Sequence, residues 1–141
     1  MCLLGAPLFR GAALDAALEG YCRVLARALG RLNQLPLQNV LILLRSSFGA
    51  TKLSYILRCS PCLGHPSLPR LDDLLKQGLE SIVNCSLNNH QWLQASLPIN
   101  DGGLGIRRVV TLASSAYLAS VAATLGLQTS ILATRAAPSD D

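Results

Sequence analysis

Residues 11–32 read GAALDAALEGYCRVLARALGRL, and their periodicity decides the fold. Leu14, Leu18, Tyr21, Leu25, Ala28, Leu29 and Leu32 recur at three- and four-residue steps, so a helix of 3.6 residues per turn gathers them on one face. Asp15, Glu19, Arg23, Arg27 and Arg31 recur every four residues on the opposite face. The acids lie toward the helix start and the bases toward its end, which suits the dipole and sets Glu19 to pair with Arg23 one turn on. Gly30 near the end and Pro36 beyond it close the helix.

Working toward the C-terminus, Pro36 suits the first turn of a second helix running to about Ser47. Its dense apolar run, Val40 to Leu44, predicts a central helix buried almost all round. Gly49 breaks it, and residues 50–58 predict a short third helix with Leu53, Ile56 and Leu57 on one side. Residues 59–69 hold three prolines and Gly64 and read as a loop. A fourth helix is expected over 70–84, with Leu71, Leu74, Leu75, Leu79, Ile82 and Val83 as its apolar stripe, then an irregular stretch over 88–105. The last helix is expected over 109–125, ended by Gly126, with a frayed tail beyond.

Composition agrees with this pattern. Of 141 residues, 50% are hydrophobic and 14% charged, with a mean hydropathy of +0.38, which excludes a disordered chain. Leu and Ala rather than β-branched and aromatic residues supply the hydrophobicity, which favours helices over sheets. The expectation is a mainly α chain: a single helical domain of about five helices with a loop-rich connection and no substantial sheet. The apolar run at 2–9 is short and interrupted by Gly5 and Pro7, so it does not read as an export signal. Five cysteines without regular spacing point to a reducing, intracellular compartment, cytoplasmic or nuclear.

Charge is unevenly placed. Residues 1–58 carry seven bases against two acids, while the rest carry five against six, and ten of the twelve bases are Arg. Arg bonds phosphate through two donors at once, which favours an anionic partner. Arg23, Arg27 and Arg31 along one helix face, with Arg10 near its start, can track a phosphate backbone. The competing reading is a solvated face balanced by Asp15 and Glu19.

Other patterns carry less. Cys59-Ser60-Pro61-Cys62 is a C-x-x-C, and His65, Cys85 and His90 could complete a zinc set, but the second pair lacks a knuckle spacing. Zinc is therefore not expected, with Cys59 and Cys62 the remaining candidates, and no cofactor is expected. Gly102-Gly103-Leu104-Gly105 could offer N–H groups to a phosphate, yet no strand precedes it and no Lys follows, so a tight turn is the better reading. Asp72-Asp73 opens a helix, where acids suit the dipole, and does not resemble a two-metal site. Residues 109–134 carry no charge and follow Arg107 and Arg108, so they are long enough to cross a bilayer, but a small-residue helix packed in a soluble bundle reads the same way.

The order of several segments is distinctive. Leu3-Leu4-Gly5-Ala6-Pro7, Leu53-Ser54-Tyr55-Ile56-Leu57-Arg58, Leu71-Asp72-Asp73-Leu74-Leu75, Gln94-Ala95-Ser96-Leu97-Pro98, Gly102-Gly103-Leu104-Gly105-Ile106-Arg107 and Ala116-Tyr117-Leu118 follow one another. Together they resemble the region downstream of the palm in non-LTR retrotransposon reverse transcriptases, over nearly the whole chain to about Leu125. The resemblance implies a primer-grip-like remnant over 1–10 carried by Leu4, Gly5 and Pro7, thumb-like helices over 11–58, and a connection over 59–126, with 127–141 a tail. It implies an RNA/DNA duplex as partner, a palm supplied by another chain, and no membrane, because 109–125 aligns with a soluble helix. The palm aspartates that hold magnesium have no counterpart here, so the expectation is a non-catalytic fragment of an RNA-directed DNA polymerase. The alternatives are a helical interaction module without ligand and a small single-span membrane protein.

Overall fold

The computed structural model describes residues 2, 3 and 5–136, and the protein is mainly α. Two two-residue strands, β1 (Cys2–Leu3) and β2 (Ala6–Pro7), form an antiparallel clip with Cys2 opposite Pro7 and Leu3 opposite Ala6. The helices are α1 (Ala12–Leu32), α2 (Leu37–Leu43), α3 (Ala50–Cys59), α4 (Ser67–Val83), α5 (Asn89–Ser96) and α6 (Val109–Ala136). A π-helical turn at Leu44–Phe48 joins α2 toward α3, so Leu37–Cys59 acts as one interrupted helix and the described residues hold five α-helical units.

α1 buries Leu14, Leu18, Cys22, Leu25, Leu29 and Leu32, a stripe stepping by three or four residues throughout. It packs on α4, whose buried face is Leu68, Leu71, Asp72, Leu75, Gly78 and Leu79. α4 also contacts α6, and α3 packs along the start of α6. The α1–α4 approach is tight at Gly78, where an added Cβ would run into the Leu29 side chain. Leu29 is itself buried and held by neighbours. Gly78→Ala is therefore expected to destabilise the fold by about 1–2 kcal/mol, read as a lowered urea midpoint with an unchanged slope.

Four expectations from sequence change here. The second helix is not central: only Val40 of α2 is buried, and Leu37 and Ile42 are exposed. Consecutive apolar residues on a helix point in every direction, and α2 lies at the bundle edge with cover on one side. α4 starts at Ser67 rather than Arg70, since Pro66 and Pro69 fall in the first turn, where a missing N–H costs nothing. Residues 88–105 are not wholly irregular: α5 is nucleated by a capping box in which Asn88 and Gln91 exchange bonds of 2.9 Å each. It buries Trp92 and Ala95.

The fourth change concerns α6. It runs through Gly126 to Ala136 rather than stopping at 125, and it does not sit inside the bundle as a core helix. Val109 and Ala113 are buried and Leu112 and Ala116 partly so, but Leu118 is 65% exposed and every residue over 121–133 is exposed.

Candidate nucleic-acid interface

Arg23, Arg27 and Arg31 lie one turn apart on the solvent face of α1, about 6 Å from one to the next. All three are exposed, and none makes an ion pair among the described residues. The acids that sequence reasoning set against them are engaged elsewhere. Glu19 takes a hydrogen bond and ion pair from Arg70 of α4 at 2.9 Å, rather than from Arg23. Asp15 faces His65 Nε2 at 2.8 Å. The Ser67 N–H donates to His65 Nδ1 at 3.1 Å, so Nδ1 is the acceptor and Nε2 carries the proton that His65 donates to Asp15. The basic end of α1 thus stands without local compensation.

Arg10 is placed differently. Its Nε donates to the Pro61 carbonyl at 3.1 Å and its Nη2 to the Leu63 carbonyl at 2.5 Å, tying the start of α1 to the loop after α3. Of the primer-grip-like residues, Leu4 lies outside the described residues. Gly5 turns the clip with φ of 84°, in the left-handed region that glycine adopts without strain. Pro7 is buried, and its carbonyl accepts the hydroxyl of the fully buried Ser60.

That hydrogen bond accounts for the C-x-x-C as a structural turn. Cys62 is buried and burial pushes its thiol pKa up, with the Arg10 charge opposing, so the reactive thiolate is disfavoured. Cys59 is half-buried, Cys85 and His90 are exposed, and both ring nitrogens of His65 are engaged. Among the described residues no three His, Cys, Asp or Glu side chains converge, so the zinc set considered from sequence is not assembled.

Gly102-Gly103-Leu104-Gly105 is a turn that spends its donors internally. The N–H groups of Gly102, Gly103, Leu104 and Gly105 donate to the carbonyls of Ile99, Pro98, Ala95 and Leu97 at 2.9–3.1 Å, which leaves none for a phosphate. The turn brings Arg107 beside Arg45, and the two line a depression with Thr51, Asn100 and Pro98. Arg45 packs its methylenes against Gly105, where an added Cβ would lie 2.8 Å from Cδ.

Asp72 is the site that sequence reasoning missed. It is 6% exposed and does not serve its own helix: Oδ1 accepts the Val109 N–H at 2.5 Å and Oδ2 the Val110 N–H at 3.3 Å. It therefore caps α6 from α4, with Arg108 Nε 3.8 Å away. Burial raises its pKa, and the two backbone N–H groups and Arg108 oppose that rise. No family model, curated protein or solved structure matches the chain.

Proposed function

We propose that the protein is a non-catalytic, sequence-independent nucleic-acid-binding module that lays α1 along the phosphate backbone of an RNA/DNA duplex. The resemblance to the region downstream of a reverse-transcriptase palm motivates the choice of duplex, and a palm carried by another chain is the partner that would supply chemistry. The observation that carries the reading is the withdrawal of Asp15 and Glu19 into contacts with His65 and Arg70, which leaves Arg23, Arg27 and Arg31 uncompensated on one exposed face. Arg45 and Arg107, which line one depression beside the Gly-rich turn, add two guanidinium groups. Stacking is minor, because the chain is poor in aromatic residues and Trp92 is buried.

The test is a titration of a fluorescent RNA/DNA hybrid across salt. Each phosphate contact contributes roughly −0.7 to −0.9 to the log–log slope, so changing Arg23, Arg27 and Arg31 together to Gln makes the slope shallower by about 2–3 and weakens low-salt binding by at least about tenfold. The three side chains are exposed, so the variant keeps the parent's melting temperature. Binding that is unmeasurable at low salt, or a slope unchanged in the triple variant, sinks the proposal.

A further inference from the structure

The distal part of α6 leaves the bundle at Tyr117 and runs on as an exposed rod that no other described element covers. Three properties define what can cover it. The first is that the rod is apolar on opposite sides. Leu125 and Leu127 are two residues apart, about 200° around the helix, yet they are 56% and 64% exposed. Leu118, Val121 and Leu132 lie on the Leu125 side and Ile131 near Leu127, so a partner docked on one face leaves the other in water.

The second is length and charge. No Asp, Glu, Lys or Arg occurs between Arg108 and Arg135, and Val109–Ala133 is long and apolar enough to cross a membrane. The part beyond Tyr117, residues 118–133, is exposed but for a half-buried Ser120 and makes 16 residues or about 24 Å of helix, a few Å under the roughly 27–30 Å of a bilayer's hydrocarbon, a gap that local thinning closes at small cost. The bundle can therefore stay folded outside while the rod is immersed. The third is how the polar side chains in the rod behave. Thr124 donates to the Ser120 carbonyl at 3.0 Å and Thr129 to the Leu125 carbonyl at 3.1 Å. Gln128 donates to Thr124 Oγ1 at 2.9 Å. Both threonine hydroxyls and one N–H of Gln128 are thus satisfied within the helix, as a lipid environment favours.

We propose that α6 beyond Tyr117 spans a lipid bilayer and tethers the bundle to its surface. Tyr117 then lies at the interface nearest the bundle, where aromatic residues collect, and Arg135 is the first charge at the far side. Arg107 and Arg108 set the bundle on the side where positive flanks are retained. Apart from Arg107, which bears only on orientation, the tether rests on residues other than those assigned to nucleic-acid binding, so either can fail alone.

The experiment uses the full chain with neutral phosphatidylcholine vesicles, so that the α1 arginines contribute nothing. The chain is expected to float with the vesicles and to resist extraction by alkaline carbonate. Leu125→Arg and Leu127→Arg are each expected to lower the inserted-to-extracted ratio about 100-fold, because a bilayer surrounds both sides of the helix. Both positions are exposed, and an unchanged circular dichroism melt of each variant shows that the bundle still folds. Failure to float, or release into carbonate, overturns the proposal. So does a soluble dimer that Leu125→Arg dissociates and Leu127→Arg leaves intact, the pattern of a second copy packed on one face.

Discussion

Asp72→Ala is expected to cost about 3 kcal/mol, a fall in melting temperature of roughly 6–12 °C for a chain of this size. The side chain supplies the acceptors for the first N–H groups of α6, which point into the contact between α4 and α6. Without them a buried helix end keeps two unpaired donors at the positive pole of a long helix, and Arg108 loses its nearest carboxylate. Asp72→Asn keeps one acceptor and is expected to lose less. The same residue gives a pH signature. Its folded pKa lies above the unfolded value, so between the two the native state holds more proton than the unfolded chain, and stability falls as pH rises through that interval. Urea melts should accordingly show the parent's advantage over Asp72→Asn shrinking as pH climbs from about 4 and levelling once Asp72 is ionised in both states. An advantage that grows with pH over that range contradicts the assigned burial effect.

Gly103→Ala is the second large effect, about 3 kcal/mol, because the obstacle is backbone. A Cβ at this position would collide with the Leu97 carbonyl, which also accepts the Gly105 N–H at 2.9 Å. The turn would have to open, breaking the bonds that fold residues 97–105 back onto the end of α5. The expected readout is a lowered urea midpoint together with faster amide exchange at Gly103, Leu104 and Gly105. Gly126→Ala makes a clean control: it meets no neighbour, sits in mid-helix and should leave the bundle unchanged or stabilise α6 slightly.

The elements that sequence reading placed well are those whose burial is one-sided. α1 and α4 each show a stripe at three- and four-residue spacing, and the structure buries those stripes against each other, with Cys22 taking the inward position nearest to where Tyr21 was expected. The setting of α2 is not legible, because an unbroken apolar run carries no phase and so says nothing about how many sides have neighbours. α5 carried a legible signal in Asn88 and Gln91, three residues apart, but its weak amphipathicity hid it. Gly126 does not stop α6, because a glycine ends a helix only where the chain needs a left-handed residue, and Asn84 with φ of 51° fills that role after α4. At the candidate interface the arginine face was legible, whereas the fate of its acids was not. Glu19 with Arg70 and Asp15 with His65 are contacts between residues about fifty positions apart, which no local spacing encodes.

The capping of α6 by Asp72 also orders events in time. α4 ends 26 residues before Val109, so at roughly 5–20 residues per second α4 leaves the ribosome about 1–5 seconds ahead of the start of α6. The receptor for the start of α6 thus reaches solvent before the rod does. The first turns of α6 can be anchored as they appear, which leaves the distal apolar residues the last to need shelter and shortens the interval in which they could recruit other unfolded chains.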